Sequence, residues 1–129
     1  MANYDLLVKN GTVATAADTF EANIAVKNGK IVALLENGPD SSADEVIDAT
    51  NRLVLPGGIE GHCHIAEPSF GAAKLADDFR SGSIAAACGG TTTIIPFAQQ
   101  IPGMTLRQAL DDYHAKATNE AVIDYGFHM

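Results

Sequence analysis

Two histidines that are one residue apart, His62 and His64, are the side chains of this sequence best suited to metal chemistry. Successive side chains of a β-strand point to opposite faces, so the two imidazoles would face one way and Cys63 the other. Two imidazoles on one face can share a divalent ion, with Zn–N bonds of about 2.0–2.1 Å. The pattern also occurs by chance on surface strands, and the residues alone leave both interpretations open.

The sequence that follows the pair predicts alternating helices and strands. We expect helices over "LADDFRSGSIAAAC" and from Thr105 onwards, and strands at "IEGHC", "TTTIIPF" and "AVIDYGFHM". Asp77 or Asp78 is suited to begin the first helix, and Thr105 with Gln108 forms a capping-box pattern at the second. This order is typical of a parallel sheet with helices packed outside, and α/β barrels hold their chemistry at the carboxyl ends of such strands.

The second helix is expected to bury one side. Its predicted apolar stripe comprises Leu106, Leu110, Tyr113 and Ala117. These positions recur at intervals of three and four residues, as a buried helix face requires.

Residues 1–55 carry the pattern of an all-β region with close turns. Short apolar runs are separated by Asn10-Gly11 and by Asn28-Gly29, dipeptides that favour tight hairpin turns. Before the second turn, alternate apolar residues share one face. At Pro56 the pattern changes, so we predict two regions, 1–55 and 56–129.

Composition excludes several classes of function. The chain has 129 residues, of which 47% are apolar, so it can form a hydrophobic core. Its formal charge is −8, so we do not expect electrostatic attraction to nucleic acid or anionic lipid. We find no membrane span and no signal peptide in the sequence. With two cysteines there is no disulfide framework, and a reducing cytoplasm is the expected location.

Three stretches carry a resemblance to a known family. "LVLPGGIEGHCHI", "DDFRSGSIAAACGGTTTIIPFA" and "AVIDYGFHM" resemble the N-terminal portion of the cyclic amidohydrolases, especially the dihydropyrimidinases and hydantoinases. The resemblance implies an α/β fold: the N-terminal part of a β-sandwich, in 1–55, followed by the first three β/α units of a (β/α)8 metal-dependent hydrolase barrel, in 56–129. It also implies hydrolysis of a cyclic amide, in which a dihydropyrimidine or hydantoin ring opens to an N-carbamoyl amino acid.

The resemblance also assigns roles to residues. It makes His62 and His64 ligands of one of two divalent ions, usually zinc. Ile65 and Phe70 match apolar positions of the loop that shapes the substrate pocket in the family, although ordinary packing is the alternative for both. The family does not use His128 as a ligand, but its place at the end of the third strand makes it a candidate for orienting one.

Glu60 is a departure from the family, whose motif usually reads Asp-x-His-x-His. On the face of His62 and His64, the Glu60 carboxylate could orient a ligand. It could equally be a strand carboxylate with hydrogen-bond partners of its own, and both remain open.

The remaining ligands of the family and its proton acceptor have no counterpart in this sequence. We therefore expect the chain to be an N-terminal fragment that holds no catalytic residue and is inactive alone. The complete enzyme would act on a small cyclic amide and form a homo-oligomer, as tetramers are common in the family. Two other hypotheses are a non-catalytic oligomerising scaffold of the same family and a free-standing β/α metal-binding domain.

Overall fold

A computed structural model describes residues 4–36, 42–68 and 75–129 of the chain. Contacts divide the chain into two units, Met1–Pro56 and Gly57–Met129. Phe70, one of the predicted pocket residues, lies outside the described residues. No helix in the described parts of the chain is long and apolar enough to cross a membrane.

The first unit contains a mixed β-sheet. Its strands are β1 (Tyr4–Ala14), β2 (Thr19–Lys27), β3 (Lys30–Leu35), β4 (Ala43–Asp48) and β5 (Leu53–Val54). The order is β3-β2-β1-β4, and β5 also pairs with β1. The β2–β3 hairpin turns at Asn28 and Gly29, both with positive φ, which confirms the predicted turn. A sandwich needs a second packed sheet, so that part of the fold stays a prediction.

The predicted turn at Asn10-Gly11 is wrong, because β1 runs through both residues. Asn10 has a φ of 62°, and the register with β2 shifts between Val8 and Gly11, so the dipeptide forms a β-bulge. The amide of Asn10 donates to the side chain of buried Asn23 at 2.9 Å, which satisfies a group that the ladder leaves unpaired. The bulge separates the half of β1 that pairs with β4 from the half that pairs with β5.

The second unit is a parallel βαβαβ arrangement. It contains β6 (Gly58–Cys63), α1 (Phe79–Cys88), β7 (Thr91–Pro96), α2 (Leu106–Ala117) and β8 (Asp124–Tyr125). The three strands lie in the order β6-β7-β8, and both pairs are parallel. The predicted alternation of strands and helices is confirmed. The complete (β/α)8 barrel stays a prediction.

Both helices of the second unit begin as their sequences predict. The Asp78 side chain accepts from the Ser81 amide at 2.8 Å, and the capping box of α1 is complete. Thr105 and Gln108 form the reciprocal capping box of α2. Side-chain acceptors therefore satisfy amides that would otherwise lack partners at the two helix starts.

The predicted stripe of α2 needs one correction. Leu106 is 57% exposed, whereas Ala109 is fully buried together with Tyr113 and Ala117. The buried positions are four residues apart, which rotates the buried face away from Leu106. The core of the unit comprises Ile65, Phe79, Ile94, Ala98, Tyr113 and Ala117.

We expect Phe79→Ala to destabilise the second unit by about 3–5 kcal/mol, because it leaves a cavity beneath the sheet. Leu106→Ala is the control, and should cost less than about 0.5 kcal/mol because that side chain is largely exposed. Hydrogen exchange of α1 and β7 amides measures both effects. Equal losses of protection in the two variants would contradict this description of the core.

Candidate metal centre

The end of strand β6 positions the histidine pair. His62 is the penultimate residue of the strand and His64 follows its end, and both side chains are exposed. Cys63 points the other way and packs against the core cluster. The ring centroids of His62 and His64 are 5.5 Å apart, with 63° between the ring planes. The two imidazoles therefore share a face, as strand alternation predicts.

This ring separation fits a shared ion. Because a Zn–N bond is about 2.1 Å and an imidazole nitrogen lies about 1.1 Å from its ring centroid, a zinc ion would lie about 3.2 Å from each centroid. Tetrahedral coordination would then place the centroids about 5.2 Å apart. The observed 5.5 Å is close to this value. The donor type and the spacing both suit a divalent ion such as zinc.

Phe97 lies among the histidine rings. Its ring centroid is 4.8 Å from that of His62 and 5.3 Å from that of His64, against which it stacks at 15°. The ring centroid of His128 is 5.0 Å from that of Phe97, with 33° between the ring planes. The Phe97 amide donates to the Cys63 carbonyl at 3.3 Å, so the parallel pairing of β6 and β7 fixes this ring beside the histidines. Phe97 limits the directions that the two imidazoles can take.

Glu67 is the other residue of this group that sequence reasoning missed. A carboxylate oxygen of Glu67 is hydrogen-bonded to Nδ1 of His64. The only sequence signal was its position three residues after His64, in a loop whose path no periodicity predicts. Phe97 had a clearer signal, because the carboxyl ends of neighbouring parallel strands meet at one edge of a sheet.

Glu60 and His128 bond to the backbone of β6. Glu60 Oε1 accepts from the His62 amide at 2.9 Å. His128 Nε2 lies 2.8 Å from the Gly61 carbonyl oxygen, which can only accept, so this nitrogen donates. The hydrogen bond from His128 ties the segment after β8 to the strand that bears His62. A role of either residue in orienting a metal ligand stays a prediction.

Ile65 is part of the core. Its side chain is 6% exposed and packs with Phe79 and Ile94 in the cluster beneath the sheet. This is the packing alternative considered for Ile65, and substrate contact stays a prediction. For Phe70, outside the described residues, the pocket role also stays a prediction.

The local electrostatics favour a cation near the pair. Glu60 lies two residues before His62 and Glu67 lies three residues after His64. Burial raises the pKa of the Cys63 thiol above its ordinary value, and the negative charge of Glu60 is the second cause. The thiol therefore stays protonated at neutral pH.

Within residues 4–36, 42–68 and 75–129, no three His, Cys, Asp or Glu side chains are grouped to hold a metal ion.

Sequence comparisons place the chain among known proteins. It is 52% identical over 123 residues to D-hydantoinase of Geobacillus stearothermophilus, covering 95% of this chain and 26% of that protein. It is 40% identical over 124 residues to Dihydropyrimidinase 2 of Caenorhabditis briggsae, covering 96% of this chain and 24% of that protein. No family model matches the sequence.

The fold agrees with the sequence comparison. The crystal structure of dihydropyrimidinase from Brevibacillus agri matches with a TM-score of 0.84 at 44% identity, covering 95% of this chain and 26% of that one. The chain is homologous to the D-hydantoinases and dihydropyrimidinases over nearly its whole length. It spans about a quarter of the length of these relatives, from their N-terminal portion. The resemblance to this family is therefore confirmed.

Gly57 and Gly61, which precede the histidine pair of this hydantoinase-like chain, differ in how much room each has for a side chain. A Cβ atom on Gly57 would lie 2.7 Å from Cβ of Thr92, whereas one on Gly61 would meet nothing within 4 Å. We expect Gly57→Ala to destabilise the β6–β7 pair by about 1–3 kcal/mol through overpacking. Gly61→Ala should change stability by less than about 0.5 kcal/mol. Hydrogen exchange of β6 and β7 amides compares the two, and equal effects would refute the close approach at Gly57.

The two cysteines should differ in reactivity. Cys88 is exposed, whereas Cys63 is partly buried with a raised thiol pKa. Because thiolates are the reactive species, iodoacetamide at neutral pH should modify Cys88 well before Cys63. The rate at Cys63 should keep rising into the alkaline range, as its raised pKa requires. Peptide mapping by mass spectrometry separates the sites, with Cys88→Ser as control; faster modification of Cys63 would contradict its inward orientation.

Proposed function

We propose that this chain forms the N-terminal part of a metal-dependent cyclic amidohydrolase. The reaction is hydrolysis of a cyclic amide C–N bond, by which a dihydropyrimidine or hydantoin ring opens to an N-carbamoyl amino acid. The observation that carries the proposal is the exposed pair of imidazoles at a spacing suited to one ion, in a chain homologous to D-hydantoinases.

His62 and His64 would hold one of two divalent ions, with zinc the expected metal. Such ions lower the pKa of a bound water and polarise the carbonyl of the substrate. In this chain Phe97 restrains both ligand rings, and the His128–Gly61 hydrogen bond holds the backbone just before His62. The binding of Glu60 to the His62 amide further fixes the strand end from which His62 projects.

Catalysis requires more ligands than the described residues of this chain supply. A catalytic zinc normally has three protein ligands and one open position. We propose that the further ligands, the proton acceptor and most of the substrate pocket come from other parts of the complete protein. A polypeptide limited to residues 1–129 should therefore show no turnover. We also propose that the protein is cytoplasmic, in keeping with its two free cysteines. We further propose that the complete enzyme is a homo-oligomer.

His62→Ala and His64→Ala in the full-length protein should each lower kcat/KM for dihydrouracil or hydantoin by more than about 100-fold. Loss of a residue that only hydrogen-bonds to a metal ligand typically costs about 10–100-fold, and loss of the ligand itself should cost more. Each should also lower the bound zinc, measured by elemental analysis. His114→Ala, an exposed histidine on α2, is the matched control and should alter neither. A wild-type protein that binds no metal and opens neither ring would favour the scaffold hypothesis instead.

A further inference from the structure

Glu67 and His64 have opposite exposure. The side chain of Glu67 is 7% exposed, whereas that of His64 is 50% exposed. The carboxylate meets the ring at Nδ1. Glu67 therefore contacts this imidazole at Nδ1 and Phe97 stacks against its face, while half of the side chain remains exposed. A carboxylate with so little exposure is rarely left without a specific partner, and here that partner is the histidine.

This contact determines which nitrogen of His64 carries the hydrogen. An ionised carboxylate can only accept hydrogen bonds, so Nδ1 must donate. A neutral imidazole has one N–H group and one free lone pair, which leaves the lone pair on Nε2. A divalent metal binds a histidine through such a lone pair. The hydrogen bond to Glu67 thus prepares Nε2 as the ligand atom.

The loop conformation holds the Glu67 carboxylate at Nδ1 of His64. Ala66 has a φ of 54°, an uncommon conformation for a residue other than glycine. Its amide donates to the Asp77 carbonyl at 3.1 Å, and its carbonyl accepts from Lys116 Nζ at 3.2 Å. Ile65, immediately before it, is anchored in the core. The surrounding structure thus enforces the turn that returns Glu67 to His64.

We infer that Glu67 is a positioning residue for the metal centre, which holds His64 with its hydrogen on Nδ1 and Nε2 free for a divalent ion. The metal-binding part of this inference rests on the proposed function. Glu67 differs from Glu60, whose carboxylate accepts from the His62 backbone amide. Carboxylates that orient a metal-binding histidine in this way raise its basicity and fix its ring.

The first test measures the tautomer without metal. Solid-state NMR of the full-length protein with ¹⁵N-labelled histidine distinguishes protonated from unprotonated ring nitrogens, and the His64→Ala spectrum identifies the signals of His64. We expect Nδ1–H in the wild type and a mixture of tautomers in Glu67→Ala. Glu120→Gln is the control: it removes an exposed carboxylate three residues after the end of α2 and should leave the spectrum unchanged. An unchanged His64 tautomer in Glu67→Ala overturns the inference.

The second test measures metal affinity by titrating the metal-depleted full-length protein with Co²⁺ and following its visible absorption. Glu67→Ala should weaken Co²⁺ binding by about 10–100-fold. Glu67→Gln should weaken it less, because its side-chain carbonyl still accepts from Nδ1. In a His64→Ala background, Glu67→Ala should have no further effect. A loss of the same size with and without His64 would show a general structural role and overturn the inference.

The two tests separate this inference from the proposed function. If the wild-type protein binds no Co²⁺, the proposed function fails, and the tautomer measurement still decides whether Glu67 fixes the His64 ring. If the wild type binds Co²⁺ and the Glu67 variants bind it equally well, the proposed function stands and the inference fails.

Discussion

Parallel pairing of β6 with β7 is the constraint on which the candidate metal centre depends. The pairing joins Cys63 to Pro96, and the Phe97 amide continues it by donating to the Cys63 carbonyl. Because the carboxyl ends of both strands lie at one edge, the ring of Phe97 meets those of His62 and His64. A shift of one residue would reverse the direction of every side chain and separate this group.

The third strand extends the same edge. The His128 amide donates to the Pro96 carbonyl at 3.0 Å, and the Ala98 amide donates to the His128 carbonyl at 2.8 Å. This backbone pairing brings the His128 ring to Phe97 and its Nε2 to the Gly61 carbonyl. Two other segments of the sequence, those that follow β7 and β8, therefore support the end of β6 by hydrogen bonds that are independent of any metal.

Much of this arrangement could be predicted because it follows from local rules. Strand alternation predicts that His62 and His64 share a face, and the capping residues Asp78 and Thr105 give the starts of both helices. The errors arose where tertiary contacts decide. Asn10 resembles a turn residue, but the Asn23 side chain satisfies its amide within a continuous strand. No periodic pattern could predict that Glu67 turns back to His64.

The two faces of β6 serve different purposes, and this division limits how the site can change. Cys63 and Ile65 face the core, where a change of volume disturbs packing against Phe79 and Ile94. His62 and His64 face outward, and hydrogen bonds and ring contacts restrain them more than burial does. The polar partners of the pair can therefore vary while the core face keeps the strand in register. Conversely, a substitution at Cys63 would act on the candidate metal centre only indirectly, through the position of the backbone that carries both imidazoles.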